Sequence, residues 1–297
     1  MIEKIWYEKK FKILAYLLLP FSAIYYVIIT LRRLFYKTPK KLTVPVIVIG
    51  NLTVGGTGKT PLVIHTVEKL KREGKRPGVI GRGYKGQAKT WPQMVTAHSD
   101  PILVGDEPVL IALKSGVPVC VGPDRVASAQ KLINEFNCDV IISDDGLAHY
   151  ALARDEEIVV IDGLRKFGNG FLLPAGPLRE PISRLRTVNK VLTNGVDFKL
   201  VPGKIYQVSA PENIIESKEL RNQNLHAVCA IGNPQRFFNT LTELGLKFTP
   251  HIFPDHHFFT KEELNFDGFV IMTEKDAVKC RHLCDSNFFA LSVVISD

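Results

Sequence analysis

Residues 44–61, VPVIVIGNLTVGGTGKTP, constrain this chain more than any other stretch. An apolar, β-branched run (Val44, Val46, Ile47, Val48, Ile49) leads into a glycine-rich turn (Gly55, Gly56, Gly58), after which Lys59 and Thr60 open a helix-compatible segment. Strand, turn and helix in that order form an anion cradle. Glycines let successive backbone N–H groups point at one phosphate, and the helix N-terminus adds partial positive charge. A lysine reaches the outer phosphates and a Thr hydroxyl can ligate Mg²⁺. The cradle over Thr53, Val54, Gly55, Gly56, Thr57, Gly58, Lys59 and Thr60 is a site for a nucleoside triphosphate. The general pattern begins with a glycine where this chain has Thr53, and Gly55-Gly56 supplies the flexibility two residues later. A βα turn without a ligand is the plainer reading; the strand before and helix after favour the cradle.

With 297 residues, 45% apolar and 23% charged, the chain has room for two globular domains, and it carries no internal repeat or disordered tract. One segment is different. Residues 13–31, ILAYLLLPFSAIYYVIITL, contain no charge. As one helix they would extend about 28 Å, the thickness of a bilayer core. Pro20 is placed to kink such a helix, and Tyr16, Tyr25 and Tyr26 suit an interface. A secretory signal has a shorter apolar core and a small-residue cleavage site, so the segment is expected to be retained. Lys4, Lys9, Lys10 and Lys12 precede it and Arg32, Arg33, Lys37, Lys40 and Lys41 follow it. This balance gives no orientation and leaves open a spanning helix, a helix lying in the interface, or a buried core helix. A net charge of +8 suits an anionic partner. No nucleic-acid motif accompanies it, so a membrane surface is expected, with no nucleic acid and no obligate protein partner. The five cysteines are odd in number and scattered; Cys280 and Cys284 with His282 lack a second ligand pair, which favours reduced structural thiols over a metal.

After the cradle, 61–73 reads as its helix and 78–80 as a short strand running into Gly81-Arg82-Gly83-Tyr84-Lys85-Gly86, a loop suited to an anionic or sugar-bearing group or to an ordinary turn. Residues 91–104 read as irregular. Asp106 and Glu107, followed by Pro108, sit where a helix starts, either as capping acids or as functional carboxylates. A strand at 117–121 leads through Gly122-Pro123-Asp124-Arg125 into another helix. The apolar run 138–143 then closes on Asp144-Asp145, the Walker B arrangement that holds Mg²⁺ directly or through water. Strands at 158–162 and 190–193 complete a doubly wound parallel sheet with both motifs at one end. Composition changes near residue 200. Strands at 205–208, 226–230, 268–272 and 289–295 interleave with helices at 234–244 and 261–264, predicting a second, smaller α/β domain. Asp255-His256-His257-Phe258 within it is open to a metal, a catalytic or a structural role. The predicted organisation is an N-terminal membrane-associated helix (1–36), a P-loop NTPase-like parallel sheet flanked by helices (37–200) and a smaller C-terminal α/β domain (201–297).

Taken in order, GNLTVGGTGKTP at 50–61, GRGYKG at 81–86, GDEP at 105–108, GPDR at 122–125, SDDGLAH at 143–149, GNGFLLPAGPLREP at 168–181, IGNPQRF at 231–237, FPDHHFF at 253–259 and TEKDAVK at 273–279 resemble the tetraacyldisaccharide 4′-kinase family, the lipid A kinases of Gram-negative bacteria. That family shares the missing first glycine. The resemblance implies an enzyme at the cytoplasmic face of the inner membrane. It would use ATP and Mg²⁺ to phosphorylate the 4′-hydroxyl of a tetraacylated glucosamine disaccharide 1-phosphate, the lipid A disaccharide precursor. It makes Lys59 the phosphate-binding lysine, Thr60 a Mg²⁺ ligand, Asp144 and Asp145 the Walker B pair and Glu107 an assistant to the metal. Asp106 becomes the base for the sugar hydroxyl, paired with His256. Arg82, Tyr84 and His149 would meet the phosphorylated disaccharide, while Arg125, Arg179 and Glu180 are nucleotide-side candidates. The family's Gln-His after SDDGL is Ala148-His149 here, so the hydrogen bond of that glutamine is lost.

Overall fold

The computed structural model describes residues 2–36 and 38–296; of the basic flanks, Lys37 and the side chain of Lys9 lie outside the described residues. Thirteen strands are found among the described residues. They are β1 (Val46–Gly50), β2 (Pro77–Gly81), β3 (Gln93–Val95), β4 (Val119–Val121), β5 (Val140–Asp144), β6 (Glu156–Asp162), β7 (Lys190–Asn194), β8 (Lys199–Gln207), β9 (Ile214–Ile215), β10 (Leu225–Cys229), β11 (Thr249–Ile252), β12 (Phe269–Thr273) and β13 (Phe288–Ser296). The α-helices are α1 (Ile2–Tyr7), α2 (Lys12–Leu17), α3 (Leu19–Phe35), α4 (Lys59–Arg72), α5 (Pro101–Val104), α6 (Asp106–Ser115), α7 (Arg125–Phe136), α8 (Ser217–Leu220), α9 (Pro234–Glu243) and α10 (Glu274–Cys280).

The first sheet runs β3-β4-β2-β5-β1-β6-β7. Every pairing in it is parallel except β3 with β4. Its strands read as continuous apolar runs because both faces are covered. Alternate side chains serve opposite faces: Ile49, Val79, Ile142, Ile158 and Val160 join one core, while Val46, Val48, Ile80, Ile141 and Val159 join the other. The strand order puts β1 between β5 and β6, and the register sets Ile49 opposite Asp144. The glycine turn after β1 and the acids after β5 therefore leave the same edge of the sheet, where ligands of open parallel sheets bind.

The second sheet, β11-β10-β12-β13-β8-β9, is mixed, with β13 antiparallel to β8. The α/β architecture expected from the sequence is thus present. The two sheets are not independent, because Phe198 and Val278 are buried in the first sheet's core with Leu200 and Ile295 packed against it. Two expectations are corrected. Residues 261–264 form turns, not a helix; the Glu263 carboxylate folds back to His257 Nε2 and the Thr260 N–H, both at 2.9 Å, and closes a local turn. Residues 91–104 are not irregular throughout, since they contain β3 and α5.

The N-terminal segment is also not one helix. It breaks at Leu18, between α2 and α3. Pro20 lacks an N–H and its ring would meet the carbonyl four residues back, so it is accommodated only in the first turn of a new helix. Among the described residues no helix is long and apolar enough to cross a membrane. The inner side of the segment is anchored on the 168–181 loop. Trp6 Nε1 donates to the Pro174 carbonyl at 3.0 Å. Ser22 Oγ donates to Leu172 O at 2.8 Å and accepts from Ala175 N at 3.1 Å, and Tyr25 donates to Arg179 O at 3.0 Å. The outer side leaves Ile13, Leu17, Phe21, Ile24, Ile28, Leu31 and Phe35 exposed.

Candidate functional site

The cradle is built as the glycine spacing predicts. Gly58 caps α4 with φ 98°, a left-handed conformation closed to most residues. A Cβ there would also lie 3.0 Å from Asn194 Nδ2. Val54 N donates to Pro177 O at 2.8 Å and Thr53 bridges Leu178, so the 168–181 loop holds the cradle's entry. Thr57 Oγ1 is buried without a hydrogen-bond partner.

Lys59 Nζ lies 3.1 Å from Asn51 Oδ1 and 3.9 Å from Asp145 Oδ1. Arg179 grips Asp145 with both guanidinium ends, at 2.8 and 2.7 Å, and also donates to the backbone and side-chain oxygens of Asn51. Burial pushes the Asp145 carboxyl up, but Lys59 and Arg179 outweigh it and hold the group far below the usual carboxylate range. Asp144 is in the reverse condition. Its Oδ1 is buried and unpartnered. Burial first, then the charge of Glu107, raises its pKa to about 7, against the pull of Lys59. A buried carboxylate oxygen with no donor beside a phosphate cradle is the kind of group a hard cation completes. Among the described residues, no cluster of three or more His, Cys, Asp or Glu could hold a metal by itself. The donors that are present fit Mg²⁺, which draws most of its shell from phosphates and water and needs only one or two protein oxygens. Thr60 and Asp144 would supply them.

A second constellation joins the two sheets. Asp106, the first residue of α6 after its N-cap Gly105, accepts the Glu107 N–H at 2.8 Å. Its carboxylate also receives His256 Nδ1, 2.9 Å from each oxygen, across 150 positions of sequence. His256 Nε2 is 3.3 Å from Lys275 Nζ, and that ammonium also lies 3.0 Å from Glu107 and 3.5 Å from Asp255. Burial lowers the Lys275 pKa, but the three carboxylates raise it further, so it stays charged. An ammonium only donates, which leaves Nε2 as the accepting nitrogen and puts the imidazole proton on Nδ1, facing Asp106. Asp106 itself is pushed up by burial yet held at about 2 by the His256 hydrogen bond and the Lys275 charge. Lys275 and Asp255 were given no role of their own by sequence reasoning, although TEKD at a strand–helix junction and the Asp255-His256-His257-Phe258 stretch were the available signals.

The other expected residues are distributed unevenly. Tyr84 is exposed, with its ring edge-on to His256 at 5.4 Å, and Arg82 is exposed in the same loop. Lys85 donates to the Asp255 carbonyl at 3.1 Å, tying that loop to the second sheet. His149 Nε2 is buried without a partner, and burial with Arg125 and Arg154 lowers its pKa to about 4, keeping the ring neutral. Arg125 is buried behind the acids, donating to Ser143 Oγ and Asp145 O, both at 3.0 Å. It braces the β5 end. Glu180 is the clear departure from expectation. Its carboxylate is taken by Tyr150 at 2.7 Å and Arg184 at 3.3 Å, so it supports the fold behind Arg179 and is not brought to the cradle.

Comparisons with known proteins agree with this geometry. The family model for tetraacyldisaccharide-1-P 4′-kinase matches residues 14–296. The tetraacyldisaccharide 4′-kinase of Methylobacillus flagellatus is 50% identical over 291 residues, covering 93% of this chain and 87% of that protein. The enzyme of Nitrosococcus oceani is 47% identical, covering 100% and 90%. Among solved structures, LpxK from Aquifex aeolicus, crystallised in complex with ATP, superposes with a TM-score of 0.78 at 31% identity, over 95% of each chain. Family model, relatives and superposed structure cover nearly the whole chain, and the chain belongs to the tetraacyldisaccharide-1-phosphate 4′-kinase family.

Proposed function

We propose that this protein transfers the γ-phosphoryl group of MgATP to the 4′-hydroxyl of a tetraacylated glucosamine disaccharide 1-phosphate, giving the bis-phosphorylated lipid A precursor. The observation that carries the reading is a phosphate cradle on the first sheet together with a buried carboxylate–imidazole pair that joins Asp106 of that sheet's α6 to His256 from the second. In this mechanism the cradle amides and Lys59 hold the triphosphate. Thr60 and Asp144 would hold Mg²⁺, which neutralises phosphate charge when bound. Asp145 is the counter-ion that parks Lys59 and Arg179 at the cradle. Asp106 accepts the hydroxyl proton as the sugar oxygen bonds to phosphorus and the bond to ADP breaks. A carboxylate held at about 2 is a weak base, which suffices where proton transfer follows a loose transition state. His256 orients it through Nδ1–H, and Lys275 fixes that tautomer.

On this reading Tyr84, Arg82 and His149 would meet the phosphorylated disaccharide. The apolar outer side of α2 and α3, flanked by basic residues, suits a helix lying in the lipid interface, because four acyl chains cannot readily leave a bilayer. The acceptor would thus be met at the cytoplasmic face of the inner membrane by three parts: the membrane-associated residues 1–36, the nucleotide-binding residues 37–200 and the residues 201–297 that supply His256. Transfer of labelled γ-phosphate from MgATP to the disaccharide 1-phosphate in detergent tests the reading. Labelled bis-phosphorylated lipid is expected from the wild type and almost none from Lys59→Ala. A wild type that binds ATP and never labels the lipid would overturn the assignment.

A further inference from the structure

Arg165 follows β6, in the loop leaving the same sheet edge as the cradle. Its NH1 lies 3.7 Å from the Cβ position of Gly55, the residue that starts the glycine turn. The same nitrogen donates to the Gly232 carbonyl at 2.8 Å, and the guanidinium stacks over the Tyr7 ring at 5.2 Å. Asp162, the nearest acid in the chain, has Oδ2 paired with Arg236 at 2.6 Å, while its Oδ1 accepts the backbone N–H groups of Leu164 and Arg165. No carboxylate lies within salt-bridge distance of the Arg165 guanidinium among the described residues. Every partner it has is neutral: a carbonyl, a ring and a glycine backbone.

The surroundings fix where this charge points. Gly232 belongs to the loop after β10, and a Cβ on it would sit 3.1 Å from Gly56 N and 3.4 Å from Asp255 Oδ2. The second sheet therefore touches the cradle rim at this spot, and Arg165 is clamped between that loop and the turn. Lys59 is already shared with Asp145 and Asn51, and the two terminal nitrogens of Arg179 are engaged by the same two residues, while its Nε is buried without a partner. Lys59 and Arg179 are thus neutralised in part by Asp145, while Arg165 has no such acid among the described residues. An arginine supplied to a phosphate cradle from within the same chain stabilises charge on the phosphoryl group in transfer. A planar guanidinium with spare donors suits phosphate oxygens better than an ammonium does.

We propose that Arg165 is a phosphoryl-contacting arginine acting in cis, touching the γ-phosphate of bound ATP and stabilising its transfer. It deepens the kinase reading and rests on it. The second-sheet loop aims Arg165 through Gly232, so this charge is in place when the part carrying His256 is seated.

The test combines kinetics in detergent with nucleotide binding by the full chain, using ADP and a non-hydrolysable ATP analogue as probes. Arg165→Ala should lower kcat by about a thousandfold or more, within the range of such arginines. ADP binding should stay within about threefold of wild type, while the preference for the ATP analogue over ADP is lost. Added guanidinium should restore part of the kcat, and Arg165→Lys should remain about tenfold or more below wild type, because the fork is lost although the charge is kept. Tyr7→Leu removes only the stacked ring and should stay close to wild-type kcat. The proposal falls if Arg165→Ala keeps kcat within about threefold, if both nucleotides weaken equally without guanidinium rescue, or if Tyr7→Leu is as damaging as Arg165→Ala. A wild type that transfers nothing to the lipid would refute the kinase reading, and the two nucleotide affinities would still decide for or against Arg165.

Discussion

Asp144 and Asp145 are chain neighbours whose acidities are shifted in opposite directions by what surrounds them. Asp145 is wrapped by Arg179 and Lys59 and stays ionised. Asp144 is buried with a bare oxygen, and its pKa stands at about 7. The linkage sign follows from that direction. A carboxyl whose folded pKa lies above its unfolded value penalises folding when charged; the penalty is absent below the unfolded pKa, grows as pH rises and is complete above the folded pKa. Asp144→Asn is therefore expected to stabilise the nucleotide-free, metal-free protein by about 1–3 kcal/mol at pH 8 and by nothing at pH 4. Denaturant melts at the two pH values check this, and equal effects at both would refute the buried-charge account. The sequence showed two acids at a strand end and could not rank them, because what separates them is Arg179, thirty-four positions away, and the depth of the β5 terminus.

Among the elements, α10 shows how a buried polar group specifies structure. Asp276 and Lys279, with both side chains 0% exposed, form a 2.7 Å ion pair inside the second sheet's core. Asp276 accepts from Thr273 Oγ1 at 2.6 Å and from the Ala230 N–H at 3.2 Å, and the Ala230 carbonyl in turn receives the His256 N–H at 3.2 Å. The pair thus fixes the backbone from which His256 projects. Lys279→Ala leaves a buried, uncompensated carboxylate and is expected to cost about 3–5 kcal/mol, read by thermal unfolding. A loss below 1 kcal/mol would mean water already reaches Asp276. On the other side of the molecule, Ile24→Lys with Ile28→Lys places charge on the outer face of α3 without touching its anchors Ser22 and Tyr25. Co-sedimentation with anionic vesicles should fall at least tenfold while ATP binding is unchanged. Unaltered sedimentation would remove α3 from the membrane contact. Long apolar runs made β1, β5 and β12 legible from sequence. Of the edge strands β7 was legible, but β3 and β11 were not: β3 is three residues long, and β11 carries Pro250 and His251, which no alternation pattern marks as a strand.

At the scale of the whole molecule, chemistry is divided between two sheets that share an apolar seam through Phe198, Val278, Leu200 and Ile295. The first sheet supplies the cradle, Asp144 and Asp106; the second supplies His256, Lys275 and the Gly232 loop. The local half of this site was readable, since a glycine turn and a strand-end acid pair declare themselves within a few residues. The long-range half was reached only through family resemblance. No periodicity predicts that Asp106 meets His256, Lys275 and Asp255 were marked only as members of the TEKD and Asp255-His256 stretches, and nothing local marked Arg165. Their roles exist only once the two sheets are packed. The account's central claim is that this packing creates the base that receives the sugar proton. Single-turnover transfer from labelled MgATP to the disaccharide 1-phosphate, with nucleotide affinity measured on the same samples, tests it most directly for Asp106→Asn and His256→Gln. The account predicts transfer slowed by about a hundredfold or more in Asp106→Asn. A smaller loss is expected in His256→Gln, with ATP affinity within about threefold of wild type in both. Transfer at the wild-type rate in Asp106→Asn would contradict it.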